Sequence, residues 1–553
     1  MRKPFETLIL LLLLASINVS CATGGAFGAE STYWIPPSAP QIPSLAASQV
    51  QPASPTTDIP LSFTPTPDQP TPTSTIEPAE SGIPDLITPA PTETEDFLFP
   101  SPAAPTPTPL VAVIKNAPIL YYTQAADTLP VVAVRFGVTP SDISSSEPIP
   151  ETDFIYPGQL LIIPPRLSNT TSSQKLIPDS EVVYSPSAVD FDVSAFVNQA
   201  GGYLKDKLEW HKSTGMKTGA KVLERVAIEN SINPRLLLAL LEWHSHWVYG
   251  RPENSEQIKY PLGHIDPLDN QLYTQLIWTV NQLSIGYYAY REGRLTEIRF
   301  SDGASIRLAP DLNAGTAALQ YYFAQLYSGQ EWVDALNIET GFPALHARMF
   351  GNPWERAQTV EPLFPPGVAQ PPLTLPFAPN WVWSLTGGPH GAWEHDGAFA
   401  ALDFAAGANT PGCVESMAWV AAAASGLVVR TGPGLVVVDL DGDGKEQTGW
   451  VLVYLHVATK DRIPTGSWVA TGDYLGHPSC EGGVSTGTHL HLARKFNGEW
   501  VPADGPLPFN LEGWIAHAGE AAYKGTLTRD GKTVVASTVS NAASFISRSV
   551  EEP

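Results

Sequence analysis

The sequence predicts a multidomain α+β protein: a small βααβ module, an all-helical middle domain and an antiparallel β-sheet domain, all behind an unfolded amino-terminal stretch. Three observations predict it. The chain has 553 residues, more than one hydrophobic core usually organises. Its 54 prolines are about twice the usual share, so part of the chain does not fold. The apolar pattern changes from helical spacing between Asp190 and Val360 to short β-rich runs from Pro376 onward. Lys+Arg 31 against Asp+Glu 55 leaves a net charge of −24, which argues against nucleic acid as a partner.

Taken in order, Arg2 and Lys3 precede an apolar run, Leu8 to Ile17, and then small residues, so residues 1–22 read as an export signal too short to span a membrane. Ser20-Cys21 fits a lipoprotein processing site, with Cys21 lipidated, although Asn18 replaces the usual Leu. Ordinary cleavage after Ala22 or near Ala29 fits as well. Either way the mature protein is extracytoplasmic, membrane-anchored or secreted and associated with the cell wall. Residues 23–112 form the stalk: residues 31–110 hold 20 Pro, 13 Thr and 9 Ser with no Lys or Arg. Such a composition builds no core and extends, to about 250 Å at 3.1 Å per residue.

Residues 113–167 carry the small module. Ile119 to Tyr122 reads as a strand, Asp127-Thr128 as the cap of a helix from Leu129 to Phe136 that Gly137 stops, Thr139-Pro140-Ser141-Asp142 as the start of a second helix, and Leu160 to Ile163 as the closing strand. Asp127-Thr128-Leu129, Arg135-Phe136-Gly137-Val138 and Tyr156-Pro157-Gly158-Gln159-Leu160 through Pro164 resemble a LysM domain. The resemblance implies binding of N-acetylglucosamine-containing glycans such as peptidoglycan. It departs at Ser144 to Glu147, where the family usually has an Asn.

The helical domain is placed at 168–365. Asn233-Pro234 supplies a cap and a first-turn proline, and the stripe Leu272, Leu276, Val280, Leu283, Tyr287 and the set Leu319, Tyr322, Phe323, Leu326 mark two more helices. Ile232 to Trp247 resembles the catalytic-helix region of lytic transglycosylases with a lysozyme-like fold. His244 stands where that family has its catalytic Glu, and Glu242, two residues earlier, lies more than half a turn away. A degenerate lysozyme-like domain is therefore expected. His244 and His246 are read as core or surface residues in preference to a metal pair.

The β domain is placed at 366–520, with a carboxy-terminal extension at 521–553. Seven of the 12 histidines lie between His390 and His517. His489 and His491 alternate and share a strand face, His456 lies on another strand and Asp403 on a third. Two imidazoles and a carboxylate are the donors a catalytic zinc uses when a fourth position stays open. The absence of an HExxH pattern excludes a thermolysin-type site. Gly387-Gly388-Pro389-His390, Ala401-Leu402-Asp403-Phe404, Tyr454-Leu455-His456 and His489-Leu490-His491 closely resemble the lysostaphin-type (LytM-like, duplicated hybrid motif) zinc metallopeptidases. The resemblance implies zinc ligands His390, Asp403 and His491, with His456 and His489 activating water and stabilising the tetrahedral intermediate. His395 competes with His390 as first ligand.

Cys413 and Cys480 are expected to form a disulfide, given an oxidising compartment and the removal or lipidation of Cys21. Asp439, Asp441, Asp443 and Gly444 fit the start of a calcium loop, but Trp450 holds the position of its last ligand, so an acidic hairpin turn is the preferred reading. The expected function is an exported zinc endopeptidase that cleaves peptide cross-links of peptidoglycan. A non-catalytic peptidoglycan-binding envelope protein, and transglycosylase-like cleavage by the helical domain, are the alternatives.

Overall fold

A computed structural model of the chain describes residues 117–213, 215–393, 397–407 and 412–548. The export signal, Cys21, the stalk and His395 lie outside the described residues.

The small module pairs strands β1 (Ile119–Tyr122) and β2 (Leu160–Ile163) antiparallel, with helix α1 (Leu129–Phe136) between them. Thr128 caps α1 by accepting the Val131 N–H, and Gly137, left-handed at φ 66°, ends it. The second expected helix is only a 3-10 turn, Pro140–Asp142. A capping box starts it, but no apolar stripe follows to hold a longer helix.

The middle segment centres on helices α2 (Gly219–Asn230), α3 (Pro234–Ser245), α4 (Leu272–Arg291) and α5 (Ala314–Leu326). Leu272, Leu276, Val280, Leu283 and Tyr287 are all buried, and the Asn233 side chain caps α3 as its sequence predicts. The segment is not all-helical: Leu208–His211 pairs with Gly215–Thr218, and Glu297–Arg299 with Ser305–Arg307. The first hairpin turns Glu209 inward, where its carboxylate accepts the first two N–H groups of α4, at Leu272 and Tyr273, each at 2.9 Å.

A nine-stranded antiparallel sheet dominates the rest. Its strands are β3 (Val382–His390), β4 (Ala401–Ala406), β5 (Gly426–Gly432), β6 (Gly434–Asp439), β7 (Trp450–Val457), β8 (Trp468–Val469), β9 (Leu490–Phe496), β10 (Glu499–Trp500) and β11 (Phe545–Ser547). They run in the order β8-β5-β6-β7-β9-β4-β3-β11, with β10 paired to β9. Residues 521–548 of the expected extension are part of the β architecture: β11 completes the sheet, and Gly525–Arg529 and Lys532–Val535 join Trp514–Ala518 in a second, four-stranded sheet.

The two faces of the large sheet belong to different cores. Val436, Val438, Leu452, Tyr454 and Leu492 pack within the β domain. Leu435, Val437, Val451, Val453, Leu455 and Ala493 join the core of the helical segment. Trp500 seals this junction, its backbone N–H donating to the Tyr288 hydroxyl and its indole N–H to the Asn230 carbonyl.

Candidate metal centre

The antiparallel register brings three of the expected residues together. His491 on β9 stands directly opposite Asp403 on β4, and β4 pairs on its other side with β3, which ends at His390. Two register shifts in β3, around Gly387, swing the strand end over the site. His390 Nε2 lies 3.0 Å from His491 Nδ1, and each of these nitrogens lies 3.2 Å from Asp403 Oδ1. All three side chains are buried. Gly387 leaves room for the carboxylate, since a Cβ there would stand 2.6 Å from Asp403 Oδ2.

Backbone carbonyls set each imidazole. His390 Nδ1 lies 2.8 Å from the Gly388 oxygen, and His491 Nε2 lies 3.0 Å from that of Ala392. A carbonyl only accepts, so those nitrogens carry the protons and the opposite ones turn lone pairs toward Asp403. His456 Nδ1 and His489 Nδ1 are tied in the same way, at 3.0 Å to the Glu481 oxygen and 2.7 Å to the Gly487 oxygen. Their rings lie 4.5 Å apart, and His489 Nε2 is 3.7 Å from Asp403 Oδ1. His456 is the extra residue where the β6–β7 pairing slips, with a left-handed φ of 64°. Such strain is held where the surrounding structure over-determines it.

The charges suit a cation. Burial opposes ionisation of Asp403, but positive charge on His390 and His491 outweighs it and holds the carboxyl well below its usual range. Asp403 Oδ1 is nevertheless a buried oxygen without a hydrogen-bond partner. Two imidazole lone pairs 3.0 Å apart beside that oxygen repel one another unless a proton or a cation lies between them. Nitrogen, nitrogen and carboxylate oxygen are donors that fit zinc. Burial, with His489 and His491 nearby, lowers His456 to about 4, so it is a neutral base at neutral pH.

Two features escaped the sequence reading. The Tyr523 ring stacks on His390 at 4.1 Å between centroids, and the Ala392 carbonyl orients His491. Tyr523 lies in the supposed extension, and a backbone oxygen leaves no mark in residue identity. The expected disulfide is present: Cys413 and Cys480 are bonded across a separation of 67 residues. It anchors the loop whose Glu481 carbonyl sets His456.

In the helical segment, His244, Glu242 and His246 do not converge on a shared point. His244 hydrogen-bonds to the Tyr322 and Tyr327 hydroxyls at 3.0 and 3.2 Å, and burial lowers it to about 3. The Glu242 carboxylate accepts the Val248 and Tyr249 N–H groups and closes the end of α3. His246 is exposed at the helix end. Glu242 is thus committed to backbone N–H groups and His244 to two hydroxyls, so neither stands free as an acid for a glycosidic bond. Asp439, Asp441 and Asp443 do cluster. Asp439 accepts the Asp441, Gly442 and Gly444 N–H groups and Asp443 that of Lys445, as an acidic turn does.

Fold and site together define a helical segment joined to an antiparallel β domain with a buried His-Asp-His cluster and two further histidines beside it. Residues 175–363 match the family model described as LasA, N-terminal domain. The chain is 26% identical over 351 residues to Protease LasA of Pseudomonas aeruginosa strain UCBPP-PA14, spanning 59% of this chain and 75% of that protein. To the same protease of strain PAO1 it is 27% identical over 350 residues, with the same coverage. Among solved structures, the M23 metalloprotease pseudoalterin is 24% identical, with a TM-score of 0.26, over 30% of this chain and 96% of pseudoalterin.

Proposed function

We propose that the protein is a zinc-dependent endopeptidase that hydrolyses peptide cross-links of peptidoglycan. The observation that carries this reading is the buried triad His390, Asp403 and His491, its lone pairs converging on one point beside the free Nε2 atoms of His456 and His489. Sequence similarity to a protein named as a protease supports hydrolysis of peptides. The LysM-like module supports a glycan-containing wall as substrate.

His390 Nε2, His491 Nδ1 and Asp403 Oδ1 would hold the ion. A zinc ion bound there supplies Lewis acidity, lowering the pKa of water and polarising a carbonyl. The chain's own groups do the rest. His456 is a neutral imidazole, and the Nδ1 atoms of both His456 and His489 are held by carbonyls, so each ring turns Nε2 the other way. One takes the proton from attacking water, and the ring so charged then donates a hydrogen bond to the developing oxyanion or passes the proton to the leaving amine. Asp403, kept ionised, balances the charge of the centre.

The purified chain is expected to hold about one zinc and to release new amino and carboxyl ends from isolated cell walls. His491→Ala should lose most of the metal and the activity, read by metal analysis and by mass spectrometry of wall fragments. Equal release of peptide ends by that variant overturns the reading. Anhydromuramyl products that persist after zinc removal would place the chemistry in the helical segment.

A further inference from the structure

The structure assigns to the helical segment a positioning role at the metal centre, exerted by Ser284 and Arg294 through the loop that joins His390 to Asp403. This inference rests on the zinc-site reading above and deepens it. The path is continuous. His491 Nε2–H donates to the Ala392 carbonyl at 3.0 Å, and the Ala392 N–H donates to the Ala398 carbonyl at 3.0 Å. Next to Ala398, the Gly397 carbonyl accepts from Arg294 at 3.3 Å, and the Arg294 guanidinium lies 5.0 Å from the Phe399 ring centroid. Gly397 itself lies against α4 so closely that a Cβ there would stand 2.8 Å from Ser284 Cβ. Ala392, Ala398 and Ala400 are buried in the core of the helical segment.

The chemistry explains why this matters. An imidazole ligand is aimed by the acceptor on its other nitrogen, and disturbing that acceptor typically weakens metal affinity 10–100-fold. Here the acceptor is a main-chain oxygen on a loop, so no substitution at position 392 removes it. Its position is set by what holds the loop. Among the described residues the β domain meets the loop at the His491 contact itself and through the Ala503 N–H, which donates to the Phe399 carbonyl at 2.8 Å. Between Ala392 and Phe399, the described Gly397 meets α4 at Ser284 and accepts from Arg294, just beyond that helix. The helical segment thus contributes to metal affinity without contributing a ligand.

Two variants of the full chain test this. Arg294→Ala removes the donor to Gly397. Gly397→Val drives a side chain into Ser284 and lifts the loop from α4. Zinc dissociation constants, measured by competition with a chromogenic chelator, are expected to rise about tenfold or more. The visible absorption of the cobalt(II)-loaded protein is expected to shift as His491 turns. Arg294→Lys, which keeps a donor, should recover most of the affinity, and Arg299→Ala, an exposed arginine elsewhere, should change nothing. Unaltered zinc affinity and cobalt spectrum in both variants, even with a lowered melting temperature, would show the contact to be structural only and overturn the inference. An unsubstituted chain that takes up no zinc overturns the zinc-site reading and this inference with it.

Discussion

At the scale of single residues, the site depends as much on atoms that are missing as on those present. Gly387 carries no unusual φ, so alanine fits its backbone and adds only a methyl, 2.6 Å from Asp403 Oδ2. Gly387→Ala is therefore expected to push the carboxylate aside and weaken zinc binding about tenfold while leaving the melting temperature nearly unchanged. Isothermal titration with zinc, beside a thermal melt, checks both halves. An unchanged affinity would mean that Asp403 has room to move without leaving the centre. The sequence pointed to His489 and His491 because histidines at alternate positions on an apolar strand have no packing reason to cluster, and to His390 only through the family resemblance, with His395 left as its competitor. It did not reveal the carbonyls of Gly388, Ala392, Glu481 and Gly487 that select each ring's tautomer. Those are properties of chain path, and every residue has a carbonyl.

At the scale of elements, β5, the β6–β7 turn and β9 are cross-linked by one buried ionic group. Glu446, in the turn, meets Arg430 of β5 at 2.5 Å and Lys495 of β9 at 3.1 Å. Burial alone would raise its carboxyl, but Arg430 and then Lys495 outweigh burial and hold it at about 2. A carboxyl depressed in the folded state contributes stability above its unfolded value of 4.5, and that contribution fades as pH falls from there to about 2. The shift corresponds to about 3 kcal/mol. Urea unfolding of the chain should show this loss across that window. Glu446→Gln should be less stable at pH 7 by about 3–5 kcal/mol, because it strands two buried cations, and flatter below pH 4.5. A variant that parallels the parent at every pH would assign the acid sensitivity to other carboxylates. Elements of this size were legible where their signals were long: the caps of α1 and α3, the stripe of α4, the apolar runs of β6 and β7. The hairpins within the helical segment have strands of three or four residues, too short for an alternation to register.

At the scale of the whole molecule, the boundary near residue 366 separates two patterns of sequence, but one of the two cores crosses it. Leu435 to Val438 and Val451 to Leu455 are continuous apolar runs, which a sheet with one solvated face does not need. Their alternate side chains divide between the β domain's own core and that of the helical segment. Leu435, Val437, Val451, Val453 and Leu455 would be laid bare if residues 366–548 were expressed alone. At about 1.5–3 kcal/mol for each large side chain moved out of contact with water, their burial amounts to roughly 10 kcal/mol, as much as the entire stability of an ordinary domain. Contiguous exposed apolar surface of this kind promotes association. The excised β domain is therefore expected to bind a hydrophobic dye, to scatter light as oligomers, and to melt well below the intact chain. Charging the bare face, for example with Val451→Lys and Val453→Glu, should restore solubility to the fragment and disrupt the full-length protein. If the fragment instead stays monomeric, leaves the dye unbound and melts within a few degrees of the full chain, the junction is a docking contact between independent domains, and the shared core stabilises neither.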